Sequence, residues 1–141
     1  MRKVLATGTF DILHPGHVHY LRESAAEGDE LIVIVARESM VDHKNPPVLP
    51  EDQRREMVEA LDVVDEAVLG SEDSIFEPLR DIRPDVITLG HDQHYDEDDL
   101  RDELRSRGFD ADVVRVSGRE ESGDEILSTS RIVERVVERR S

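Results

Sequence analysis

Cysteine is absent from the sequence, which excludes a disulfide framework, a thiolate metal centre and a cysteine nucleophile together. Lysine is nearly missing as well: Lys3 and Lys44 are the only two, and every other basic residue is arginine. No apolar run approaches the length of a membrane span and nothing near the N-terminus resembles a signal peptide, so the expectation is a soluble, cytoplasmic protein. Two familiar phosphate-binding signatures are also missing. Neither a GxGxxG fingerprint nor a GxxxxGK[ST] loop follows the first apolar run, which disfavours a hydride-transfer enzyme and a P-loop kinase. Internal repeats and low-complexity tracts are not found.

What is abundant is negative charge. Asp and Glu number 34 against 18 Lys and Arg, a formal net charge of −16. General nucleic-acid binding is therefore disfavoured, because duplex phosphates would be repelled. A disordered acidic chain would share this balance, but regular apolar runs argue for a solvated acidic surface over a packed core. At 141 residues the chain is long enough for one domain with its own core, spanning 1–141.

Those runs alternate with helical patterns. Val4-Leu5-Ala6, Glu30 to Ala36, Val64 to Leu69, Asp85 to Leu89 and Asp112 to Val116 read as five strands. Helical segments fall at Val18–Ala25, Glu51–Leu61, Ile75–Ile82 (with Pro78 inside it), 96–107 and from near Ser128. Continuously apolar strands separated by helices imply a parallel sheet covered on both faces. The expected fold is an α/β, Rossmann-like, doubly wound sheet in the order 3-2-1-4-5. Its ligands would bind beyond the C-terminal strand ends at the switch point.

The stretch at that point is Gly8-Thr9-Phe10-Asp11-Ile12-Leu13-His14-Pro15-Gly16-His17. Pro15 suits a helix's opening turn, where orphan N–H groups and the helix dipole favour anions. His14 and His17 add two donors on one face, and phosphate suits the arrangement best. A metal site would need a third or fourth ligand, which no Cys or local carboxylate supplies; two surface histidines without a role are the remaining reading. Lys44 lies in a loop, 43–50, with three prolines, and as a point charge suits a phosphate. Ser128-Thr129-Ser130-Arg131 opens the last helix, where hydroxyl residues are also ordinary N-caps. Arg54 reads equally as a solvated helix residue, and Asp11 as a turn residue.

Gly8-Thr9-Phe10-Asp11 followed by His14-Pro15-Gly16-His17 resembles the cytidylyltransferase-like branch of the HxGH nucleotidyltransferases. Gly90-His91-Asp92-Gln93, Pro46-Pro47-Val48 and Gln53-Arg54-Arg55-Glu56-Met57-Val58 resemble the archaeal FAD synthase group within it. The resemblance covers nearly the whole chain, and the acid-rich, lysine-poor balance resembles proteins of salt-loving archaea. It implies a nucleotidyltransferase joining FMN and ATP to give FAD and pyrophosphate. His14, His17 and Lys44 would be catalytic. Thr9, Phe10, Gly90, Asp92, Ser128, Thr129 and Arg131 would complete the nucleotide site, and Asp11 and Arg54 would serve the acceptor. Mg²⁺ or another divalent cation is the implied cofactor, with Asp11 as a ligand, and a homodimer the implied state. Arg119 to Gly123 follows the family's arginine-threonine-glutamate-glycine run only loosely, and the C-terminal cysteines of archaeal members are missing. A CTP-dependent enzyme acting on glycerol 3-phosphate or a similar small phosphate is the alternative, and a non-catalytic nucleotide-binding regulator is the second. For a flavin substrate the chain offers few rings to stack on: Phe10, Tyr20, Phe76, Tyr95 and Phe109.

Overall fold

Five parallel strands form one sheet in the computed structural model, which describes residues 1–40, 46–71, 74, 76–91, 93, 95–119, 123 and 125–140. The strands are β1 (Lys3–Gly8), β2 (Glu30–Val35), β3 (Glu66–Leu69), β4 (Val86–Leu89) and β5 (Asp112–Arg115). The helices between and after them are α1 (Pro15–Ala25), α2 (Glu51–Glu59), α3 (Leu79–Ile82), α4 (Glu97–Ser106) and α5 (Thr129–Arg140), with a short 3₁₀ turn at Glu38–Met40. The order across the sheet is β3-β2-β1-β4-β5, as the sequence implies. β1 pairs with β2 in the register Val4↔Leu31 and with β4 in the register Val4↔Val86.

Alternation along the strands divides the core between two faces. Val4, Ala6, Leu31, Val33 and Val35 pack with Leu21 of α1 and Val58 of α2. Leu5, Ile32, Ile34, Ile87 and Leu89 pack with Leu79 of α3 and with Leu100 and Leu104 of α4. Both sides of β1, β2 and β4 are thus covered, which explains why these strands read as apolar runs without a polar face.

Strand β3 and the helix around Pro78 are shorter than the sequence implies. β3 starts at Glu66 and not at Val64. The Val64 amide closes a turn onto the Leu61 carbonyl at 3.0 Å. Asp65 is tied to Leu31 by its amide, which donates to the Leu31 carbonyl at 3.0 Å, and by its carboxylate, which accepts from the Leu31 amide at 2.8 Å, so a side chain takes the place of the backbone acceptor ahead of Glu66. The helix expected over 75–82 is regular only at Leu79–Ile82. Pro78, which has no N–H, stands at its N-cap, and Arg83 ends it in the left-handed region at φ 48°.

No helix among the described residues is long and apolar enough to cross a membrane. An open groove of about 830 Å³ runs beside β2 and β3 on the α3 side, between Ile32, Val68, Leu69 and Pro78 and the carboxylates of Glu30 and Glu77. None of the residues singled out for chemistry lines it. The chemistry lies elsewhere, at the C-terminal ends of β1 and β4.

Candidate active site at the switch point

The chain turns sharply as it leaves β1. Phe10 takes φ 52°, a left-handed conformation that costs a non-glycine residue roughly 1–2 kcal/mol. Burial of the ring compensates: it is 3% exposed, stacked with Tyr20 at 6.3 Å between centroids and tilted against His17 at 5.4 Å. The ring lies back over Gly8, where a Cβ would meet it at 2.9 Å. Phe10 therefore supports the His17 imidazole from behind, and its own ring is a core side chain. Beneath, the Tyr20 hydroxyl receives the Thr7 amide at 3.2 Å and donates to the Thr88 carbonyl at 2.9 Å, joining the ends of β1 and β4. Burial pushes its pKa up, opposed by hydrogen bonds with Thr88, Thr7 and Ser24.

His14 is the N-cap of α1, and the two imidazoles form a reciprocal capping box. His14 Nδ1 accepts from the Gly16 amide at 3.1 Å, and His17 Nδ1 accepts from the His14 amide at 3.2 Å. An Nδ1 that accepts leaves the neutral ring's proton on Nε2. Both histidines are thereby set in the tautomer whose Nε2–H donates, with ring centroids 3.8 Å apart. Gly16 is required for this, since a Cβ there would meet the His14 ring at 2.8 Å.

The start of α5 comes to the same turn. Thr129 Oγ1 donates to the Ile12 carbonyl at 3.1 Å, and Leu127 lies beside Gly16. The Ser128 carbonyl receives the Ile132 amide at 3.0 Å and its hydroxyl faces the Arg131 amide at 3.5 Å, a capping position at which Arg131 is exposed. Thr129 thus meets the histidine turn, 117 residues along the chain from Ile12, while Ser128 caps α5 and Arg131 lies on its exposed surface with Glu134, Arg135 and Glu138.

On the other flank Asp11 and Arg54 fasten the end of the proline-rich loop. The Asp11 carboxylate accepts from the amides of Val48 at 2.7 Å and Leu49 at 2.9 Å. Arg54 is fully buried and donates to the carbonyls of Thr9 and Ala36, each at 2.8 Å, and of Leu49 at 3.0 Å. Desolvation lowers its pKa, opposed by the charges of Asp11, Glu51 and Glu38. Both side chains hold backbone in this conformation. Lys44, on the loop itself, lies outside the described residues.

The turn after β4 faces the end of β1. Gly90 is buried; its amide donates to Gln93 Oε1 at 2.6 Å, and Gln93 Nε2 reaches the Thr7 carbonyl at 3.4 Å. Asp92 lies outside the described residues. The residue the sequence reading missed is Arg115. Its guanidinium donates to the carbonyls of Gly90 at 2.8 Å, Gln93 at 3.0 Å and Tyr95, and pairs with Glu97 at 2.5 Å. The signal was an arginine ending a four-residue strand, Asp112–Arg115.

For a divalent cation the donor set is thin. Among the described residues no three His, Cys, Asp or Glu side chains form a group that could hold a metal, and both Asp11 oxygens already accept amides. The described residues do not fit a protein-ligated cation. One bound mainly through substrate phosphates would need few protein ligands.

A pair of Nε2–H donors above a helix N-terminus, flanked by a hydroxyl-rich helix start, is suited to gripping a chain of phosphates. The comparisons with known proteins agree with that chemistry. An FAD synthase of Natrialba magadii is 61% identical over 140 residues, covering 99% of this chain and 95% of that protein. One of Haloferax volcanii is 59% identical, covering 99% of both. Among solved structures, a protein of Thermoplasma volcanium described as a lipopolysaccharide core biosynthesis protein superposes with a TM-score of 0.83 at 43% identity, over 85% of this chain and 99% of that one. The cytidylyltransferase-like family model matches residues 5–135, and the chain belongs to the cytidylyltransferase-like family.

Proposed function

We propose that this protein is an FMN adenylyltransferase, joining FMN and ATP to give FAD and pyrophosphate. The observation that carries the reaction class is the reciprocal capping of His14 and His17, whose Nδ1 atoms both accept backbone amides and so leave Nε2–H as the donor of each neutral ring at one helix end. The choice of FMN and ATP follows from the FAD synthases that match over nearly the full chain.

The FMN phosphate is largely dianionic near neutral pH, its second pKa being about 6, and attacks as it stands. One of its oxygens forms a bond to the α-phosphorus while the bond from that phosphorus to the bridging oxygen breaks. The electron pair leaves with pyrophosphate. No proton has to be removed from the nucleophile, so the site needs no general base. Its work is positioning and stabilising charge on the phosphate oxygens. His14 and His17 donate from Nε2 to those oxygens, and Thr129, Arg131 and Lys44 hold the departing pyrophosphate. Mg²⁺ would enter with the triphosphate, neutralising part of its charge.

Pyrophosphate release in molar KCl with Mg²⁺, over ATP or CTP against FMN or glycerol 3-phosphate, tests this reading. Turnover with ATP and FMN alone is the expected result. Turnover with CTP and the small phosphate would overturn the substrates and keep the histidine chemistry; nucleotide binding without turnover with either acceptor would favour a regulator.

A further inference from the structure

Of the five aromatic residues in the chain, four have rings engaged inside the fold. Phe10 and Tyr20 stack on one another in the core, Phe109 packs against the α4 side, and Phe76 packs there beneath the Arg107 guanidinium at 4.2 Å. Tyr95 differs: it is 42% exposed. It also lies in the turn that follows β4 at the switch point, two residues after Gln93, whose side chain reaches the end of β1.

This turn is held with unusual thoroughness. Arg115 donates to three of its carbonyls, Gly90, Gln93 and Tyr95, and is itself fixed by Glu97. A planar guanidinium can bridge several acceptors in this way, whereas a lysine ammonium on a flexible stem cannot reproduce its fixed fork. Just beyond β5, Gly118 leaves room for the His91 ring, which a Cβ would meet at 2.7 Å. The end of β5 thus frames the turn at two points.

We propose that Tyr95 is the aromatic platform on which the isoalloxazine ring of FMN stacks, and that Arg115 is the positioning residue that presents it. This rests on the FMN reading above. An extended flat ring needs a flat apolar partner, and an exposed phenol in the turn that follows β4 supplies one. The chain holds no tryptophan and two tyrosines, and Tyr20 is half-buried, its ring stacked on Phe10 and its hydroxyl bonded to the Thr88 carbonyl. Contact quenching of flavin emission by an electron-rich ring therefore reports on Tyr95.

The test is a titration of the full chain with FMN in the absence of ATP, reading emission and, by equilibrium dialysis, affinity. Bound FMN should be quenched in the wild type. Tyr95→Leu should weaken FMN binding about five- to a hundredfold, the range of a lost aromatic stack, and abolish the quenching. Tyr95→Phe should restore affinity but not quenching, because phenylalanine stacks without readily giving up an electron. Arg115→Lys should raise KM for FMN with kcat retained and bound emission increased. Gly118→Ala, which leaves Arg115 intact and displaces His91, should do the same. FMN affinity unchanged in Tyr95→Leu, full quenching in Tyr95→Phe, or a loss of ATP affinity in place of FMN affinity would each overturn the inference while leaving FMN adenylation standing. A wild type that binds no FMN yet releases pyrophosphate with another acceptor would overturn the FMN reading, and this inference with it.

Discussion

The Arg54 guanidinium donates to the Thr9 carbonyl at 2.8 Å, joining the first turn of α2 to the turn that carries the histidines. The same side chain holds Ala36 and Leu49, while its Nη2 is buried with no hydrogen-bond partner among the described residues. One buried cation thus joins three segments that meet around the site. Replacing it by an apolar side chain leaves three carbonyls facing a site with no donor, each costing about 1–3 kcal/mol. Arg54→Leu should therefore lose about 3–5 kcal/mol of stability, measured by urea unfolding. A loss under 1 kcal/mol would show that the three bonds carry little.

Gly16→Ala separates the geometry of the imidazoles from the stability of the helix. In an ordinary helical position the change would stabilise by up to about 1 kcal/mol. Here the new methyl meets the His14 ring at 2.8 Å and must push it off the Gly16 amide. The expected result is a kcat reduced at least tenfold with a folded circular-dichroism spectrum; an unchanged kcat would mean that the ring position does not matter to turnover.

His17→Ala removes one donor and half of the capping box. The capping loss costs about 1 kcal/mol of stability. Loss of a donor aimed at developing charge costs about a hundred- to a thousandfold in rate. Pyrophosphate release should fall by that factor while the melting temperature moves only a few degrees. Retention of more than a tenth of the wild-type rate would remove His17 from the catalytic set.

Tyr20 gives a pH prediction. Its folded pKa is raised above the ordinary 10.0 by burial, so the phenol resists ionisation in the fold more than in the unfolded chain. Its contribution is fully present below pH 10 and is lost as the pH rises from there through the folded value. Stability measured from pH 8 to 11 should fall along this limb. In Tyr20→Phe the titrating component of the fall should vanish, with about 1–3 kcal/mol lost at all pH values from the unpaired Thr7 amide and Thr88 carbonyl. An alkaline limb of undiminished slope in that variant would assign it to other groups.

The excess of carboxylates predicts a response to salt. Surface pairs such as Arg55–Glu59 and Arg101–Asp98 contribute little and weaken on screening. Repulsion within a net charge of −16 is relieved by the same screening, the Debye length falling to about 3 Å at 1 M. Relief should win. Raising KCl from 0.1 to 2 M should increase the melting temperature by roughly 5–10 °C; a decrease would mean that the ion pairs dominate.

The sequence by itself determined the sheet and the position of its chemistry. Apolar runs at Val4–Ala6 and Glu30–Ala36 can be buried on both faces only in a covered parallel sheet, and Pro15 and Gly16 mark the helix start that bears the histidines. These signals are local: a period, a cap, a missing N–H. What they could not carry is which side chain answers which backbone group across the fold. The family resemblance assigns Asp11 and Arg54 to the acceptor, and the tertiary structure places them on the Val48 and Leu49 amides and on three carbonyls. Arg115 looks like a surface charge at a strand end until β4 and β5 lie side by side and bring Gly90, Gln93 and Tyr95 around it. The imidazole tautomers were also beyond the sequence, because each is decided by a backbone amide whose direction exists only once α1 has formed. Hydrogen bonding is directional and largely non-local here, whereas hydrophobic periodicity is neither, and this divides what could be read from what had to be folded.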